Sequence, residues 1–229
     1  MKKLLTASAF LTAASLLGMV GNAQAATISA LTGYSTMGGA STGMQVRVTF
    51  ADNTTSTGVW SAINFYSGVA SADGWTLFQS GDTFGNPWTF SNNSSKTISS
   101  LFINAIAGST LFDQTNPNPG TTGSAAGWDF TPVIGSSPTS FTYSNIVNLV
   151  GQPAVGDLYA ALTINWDSGF STGSNLSFIA DTDSAISVID PSDPQSVPVP
   201  AAFIGIGLAG AFLAKKEISR RQKSQKSEQ

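Results

Sequence analysis

Apolar and polar side chains alternate with a period of two through the middle of this chain. Over residues 44–50, Met44, Val46, Val48 and Phe50 fall on one face and Gln45, Arg47 and Thr49 on the other. That spacing belongs to a strand with one buried face, and Asp52 and Asn53 close it with turn chemistry. Residues 158–166 repeat the pattern: Leu158, Ala160, Leu162, Ile164 and Trp166 alternate with Tyr159, Ala161, Thr163 and Asn165. Further strand-length segments are 58–66, 75–79, 88–91, 98–106, 140–147, 176–180 and 185–189. These nine predicted strands are separated by Gly, Ser, Thr and Asn clusters, and no amphipathic helix precedes Ala201. The pattern predicts an all-β body over residues 26–189, a single β-sandwich or jelly-roll-like domain. A parallel β-helix is the rival architecture, but no short repeat supports it.

Two segments break the alternation. Residues 113–129 read DQTNPNPGTTGSAAGWD, a length at which a loop is usually functional or mobile. Residues 190–200, DPSDPQSVPVP, form a proline-rich spacer, stiff enough to hold a domain away from a surface.

The two ends carry a different pattern. Lys2 and Lys3 precede the mostly apolar stretch 4–20, and Ala23-Gln24-Ala25 has the small-x-small form of a signal-peptidase site. Cleavage after Ala25 leaves a mature chain beginning at Ala26; a retained N-terminal anchor is the alternative. At the other end the apolar run 201–214 spans about 21 Å as a helix. That is short for a bilayer but sufficient where the bilayer thins. Pro198 and Pro200 stand where a helix start tolerates a missing N–H. Lys215, Lys216, Arg220, Arg221, Lys223 and Lys226 follow at once, and such charge stays on the cytoplasmic side. A buried core helix with a solvated tail is the plainer alternative for the same run. The chain thus reads as signal peptide 1–25, β-body 26–189, spacer and sorting motif 190–200, transmembrane helix 201–214 and basic cytoplasmic tail 215–229.

Pro-x-Pro, a short apolar helix and a terminal basic cluster together resemble the PEP-CTERM sorting domain of Gram-negative bacteria. The likeness covers 197 to about 221, a tenth of the chain. It implies that Val197, Pro198, Val199 and Pro200 form the element read by exosortase, a membrane protease-transpeptidase that removes the tail. Val199 stands where the family's usual motif has glutamate. The stretches 156–164 and 178–183 also resemble bodies attached to such tails in cyanobacteria, which bring no activity with them. The implied partners are signal peptidase and the Sec machinery, an exosortase-like protease, and exopolysaccharide as a contact. The implied location is the inner membrane, transiently and with the body outside the cytoplasm, then the cell surface or medium.

Charge sharpens this picture. Between Ala26 and Ser196 the only cations are Arg47 and Lys96, against eleven aspartates and no glutamate, a formal −9. Such a body does not bind nucleic acid by neutralising phosphates. The chain has no cysteine and no histidine, which removes disulfides, the usual zinc and iron–sulfur sites, Ser-His-Asp triads and Cys-His dyads.

What remains is aspartate and aromatic chemistry. Asp181 and Asp183, two apart after a predicted strand, can face one hard cation, and Asp157 before another strand can join them as Ca²⁺ ligands. The competing explanation is turn formation, for which Asp and Thr are well suited. Trp60, Trp75, Trp88 and Trp166 read as core, whereas Trp128, beside Asp129 at the end of the long loop, is the candidate for glycan contact. A two-aspartate glycosidase and a Ser-Lys dyad through Lys96 are the enzyme alternatives, and no catalytic residue is assigned. The expected function is an exported structural protein of the surface or matrix, not an enzyme and without an obligate cofactor. A carbohydrate-binding or Ca²⁺-dependent adhesive module is the alternative.

Overall fold

A computed structural model describes residues 26–33, 35–114, 120–124 and 126–189. The signal peptide, the spacer, the sorting motif, the apolar run 201–214 and the basic tail lie outside the described residues. No helix among the described residues is long and apolar enough to cross a membrane.

The body is all-β, with strands β1 (Ala26–Gly33), β2 (Gln45–Phe50), β3 (Thr55–Val59), β4 (Ser61–Ala62), β5 (Ser67–Ala72), β6 (Trp75–Ser80) and β7 (Trp88–Asn92) in its first half. The second half adds β8 (Ile98–Asn104), β9 (Thr110–Asp113), β10 (Thr131–Gly135), β11 (Ser140–Leu149), β12 (Leu158–Phe170), β13 (Asn175–Ile179) and β14 (Thr182–Ile189). An eight-stranded sheet runs β11-β1-β14-β9-β12-β8-β2-β3, and a six-stranded sheet runs β10-β13-β7-β6-β5-β4.

The two sheets share one core. Val46, Val48 and Phe50 of β2, Leu101 and Ile103 of β8, and Leu162, Ile164 and Trp166 of β12 belong to it, as do Trp75 and Leu77 of β6, Trp88 and Phe90 of β7, and Phe178 of β13. Alternation produces it directly: β2 buries its even positions and β7 its even positions, with their neighbours turned outward. Rings supply much of the volume. Phe90 lies 5.9 Å from Trp166 and 5.2 Å from Phe170, ring centroid to centroid. Each buried indole N–H finds an acceptor: Trp60 donates to the Gly38 carbonyl (2.8 Å), Trp75 to Ser56 Oγ (2.8 Å), Trp88 to the Ala180 carbonyl (2.9 Å) and Trp166 to the Ser136 carbonyl (3.1 Å). Gly68 lets the backbone pass Trp60, since a Cβ there would strike the indole nitrogen.

The larger sheet also closes on itself. β11 pairs antiparallel with β12 and parallel with β1, so β11, β1, β14, β9 and β12 form a small five-stranded barrel. Its interior holds Ala26, Ile28, Leu111, Val147, Leu149, Leu158, Ala160 and Ala185. β12 belongs to both cores: Leu158 and Ala160 fill the barrel, and Leu162, Ile164 and Trp166 fill the space between the sheets.

A plain sandwich or jelly roll was the expectation, and the barrel departs from it. Four strands also escape the alternation rule. β9 is four residues, all buried; β5 is built of small residues around Val69; β10 is exposed throughout and carries Pro132 at a sheet edge; β1 buries only Ala26 and Ile28, at its start. The predicted strand 58–66 is divided instead, with Trp60 between β3 and β4 and a bend over 63–66.

Candidate metal centre

The barrel has a polar mouth. Asp113 ends β9, where its cross-strand partner on β12 is Leu158. Asp183 lies on β14, where its partner on β9 is Leu111. Cross-strand partners point to the same side of a sheet, and both leucines belong to the barrel core. Asp113 and Asp183 therefore face the barrel interior, one step beyond its last apolar layer. Asp181, just before β14, accepts a backbone hydrogen bond through its carbonyl from Asp113 N–H (3.0 Å). One carboxylate oxygen from each of Asp113, Asp181 and Asp183 lies within 4.8 Å of the others. All three residues are at most 2% exposed.

Neighbouring elements hold these groups in place. The Asp181 N–H donates to the Trp128 carbonyl (3.1 Å), and the carbonyl of Ala180 takes the Trp88 indole proton. Asp181 Oδ1 accepts from Thr83 Oγ1 (3.0 Å) and from the Thr182 N–H (2.8 Å). Ser124 Oγ lies 2.7 Å from Asp113 Oδ2 and 2.8 Å from Asp183 Oδ2. A hydroxyl has one proton, so it cannot donate fully to both carboxylates at once. Gly127 allows the covering segment to sit down on the site, because a Cβ there would collide with the Asp113 carbonyl and carboxyl carbon.

Two oxygens, Asp113 Oδ1 and Asp183 Oδ1, are buried without a hydrogen-bond partner. Leaving such an acceptor bare costs about 1–3 kcal/mol, and more when the group is charged. Burial pushes the Asp113 carboxyl up to about 8, against the hydrogen bond from Ser124 and with help from the neighbouring Asp183, Asp181 and Asp157 charges. Burial likewise raises Asp181 to about 7 and Asp183 to about 6.

Asp157, expected as a third ligand with Asp181 and Asp183, plays another part. It is fully buried, and both oxygens are engaged by Thr121: the N–H meets Oδ2 and Oγ1 meets Oδ1, each at 2.6 Å. Asp157 pins the segment 120–124 over the barrel mouth, and Asp113 takes the third corner. Sequence reading missed Asp113 because β9 shows no alternation; its place at the start of the long loop was the only available sign.

The remaining candidates are scattered. Trp128 is 43% exposed and packs edge-on against Phe84, also 43% exposed, at 5.7 Å. Trp60, Trp75, Trp88 and Trp166 are buried. Lys96 donates to Asp52 Oδ2 (2.7 Å) and to Thr54 Oγ1 (3.0 Å). Ser94 Oγ is directed to Asn92 Oδ1 and to the Lys96 carbonyl. Lys96 is thus the partner of an aspartate, and no Ser-Lys dyad forms there. The clustered aspartates Asp113, Asp181 and Asp183 are buried.

The residues present suit a hard cation. The cluster offers oxygen only, and Ca²⁺ takes oxygen ligands at about 2.3–2.6 Å, so ligands on one ion stand up to about 5 Å apart. No family model, curated protein or solved structure matches the chain.

Proposed function

We propose that this is an exported structural protein of the cell surface or extracellular matrix, with a sandwich-type body sorted through its C-terminal tail by an exosortase-like protease. The observation that carries this reading is where the reactive side chains sit. The three clustered aspartates are enclosed, and Lys96 is ion-paired. Among the described residues, the body thus turns mainly hydroxyls, amides and isolated carboxylates toward solvent. The formal −9 of 26–196 suits solubility outside the cell, while the basic charge is concentrated in the segments that processing removes. Mass spectrometry of the mature protein from its host tests the sorting step. A C-terminus near Pro200 is expected, and an intact Gln229 would contradict it.

A second reading, a carbohydrate-binding or Ca²⁺-dependent adhesive module, has its own support in the exposed Trp128–Phe84 pair beside the aspartates. Aromatic faces of this kind stack on sugar rings. Quenching or a shift of tryptophan emission by host polysaccharide, lost in Trp128→Ala, is the corresponding test.

A further inference from the structure

We infer that Asp113, Asp181 and Asp183 form a binding site for one divalent cation of the calcium class, which closes the mouth of the barrel. Three observations meet here. The first is the carboxylate triad itself, with one oxygen of each residue within 4.8 Å of the others. The second is the pair of bare oxygens, Asp113 Oδ1 and Asp183 Oδ1, on side chains at most 1% exposed. Buried polar atoms in native proteins nearly always have partners, and one that does not calls for a ligand. The third is the lack of countercharge. The described residues contain two cations, and both are engaged elsewhere: Arg47 lies over the Phe102 ring (4.9 Å) and Lys96 pairs with Asp52. Buried carboxylates need pairing or metal coordination, and among the described residues no cationic side chain pairs with these three.

The donor set selects the ion. With oxygen donors only, a soft or borderline metal has no preferred ligand. Mg²⁺ bonds at about 2.0–2.1 Å, reaches a narrower span of oxygens than Ca²⁺ and gives up its waters reluctantly, which an enclosed site penalises. The ion joins β9, the start of β14 and, through Ser124, the covering segment. That segment continues to Trp128, whose carbonyl is tied to Asp181. Loading the site therefore stiffens the surface that carries Trp128 and Phe84. The inference rests on the body facing a compartment rich in Ca²⁺, but not on the tail being cut; the mass-spectrometric result above and the melts below fail independently.

The test is thermal melting of the full-length chain, stripped with EDTA and then titrated with Ca²⁺ alone. At a Ca²⁺ concentration one hundred times Kd, the midpoint rises by about 5–10 °C. Mg²⁺ gives a smaller rise. Asp113→Asn and Asp183→Asn lose most of the Ca²⁺ response while melting in EDTA at or above the wild-type temperature, because Asn is neutral without the proton uptake that burying an aspartate requires. Asp167→Asn, the same charge change at an exposed position, keeps the full response. Should a variant fail to fold, Tb³⁺ added to the wild-type chain supplies a second readout: tryptophan-sensitised luminescence that Ca²⁺ competes away. A Ca²⁺ rise equal in wild type and in both cluster variants, or no rise together with no sensitised Tb³⁺ emission, overturns the assignment.

Discussion

The space between the sheets and the interior of the barrel share strands β9 and β12, yet they close in opposite ways. Between the sheets, indole and phenyl rings fill the volume and every buried indole proton has an acceptor. In the barrel, small aliphatic side chains fill the middle, and the mouth is stopped by carboxylates with two oxygens left bare. The first region is closed by its own packing, with Gln79 Oε1 the bare polar atom on the inward face of β6. The second is complete only with something from outside the chain. Stability in the first follows packed volume, and stability in the second follows solution conditions.

The largest effect separating the two regions is expected from Phe90→Ala. Phe90 is fully buried and stacks on Trp166 and Phe170, so truncation costs about 3–5 kcal/mol. Urea melts should return that loss equally in Ca²⁺ and in EDTA. Thr121→Val comes next. It removes the hydroxyl that bonds buried Asp157 and costs about 1–3 kcal/mol; unlike the Phe90 change, this loss shifts with Ca²⁺, because the covering segment is anchored on both sides.

A pH series on EDTA-treated protein sharpens the contrast. In the unfolded chain these carboxyls lose their protons near pH 4, whereas in the folded protein burial holds them to about 6 for Asp183, 7 for Asp181 and 8 for Asp113. Between those limits the folded state binds more protons than the unfolded one, so stability falls as pH rises from about 4 to 8 and levels off above. A drop of several degrees in midpoint is expected, and Asp113→Asn should flatten its upper part. The smallest effect is expected from Trp128→Ala: a half-exposed ring in one edge-on contact is worth about 0.5–1.5 kcal/mol. Its main consequence should appear in polysaccharide binding.

The two regions also differ in how far the sequence reveals them. Strands that feed the space between the sheets declare themselves by alternation: 44–50 covers β2, and 158–166 covers the first nine residues of β12. The barrel does not, because closing a sheet depends on β1 meeting β11 in parallel across more than a hundred residues, and no local pattern encodes that pairing. Asp181 and Asp183 drew notice through their spacing, and the structure brings them together. Asp113 was hidden in a four-residue strand with no polar face. Asp157, legible as a candidate ligand, turned out to serve Thr121. The exposure of Trp128 followed from its place beside a long loop, but its contact with Phe84, forty-four positions away, did not.

The central claim is that a cation completes the barrel mouth. Anomalous diffraction from crystals grown with Ca²⁺, or with Tb³⁺ in its place, tests it most directly. The account predicts one strong peak about 2.3–2.6 Å from carboxylate oxygens of Asp113, Asp181 and Asp183, with Asp113 Oδ1 and Asp183 Oδ1 no longer bare. A cluster holding only protons and water under those conditions, with the ion bound elsewhere or not at all, would contradict it.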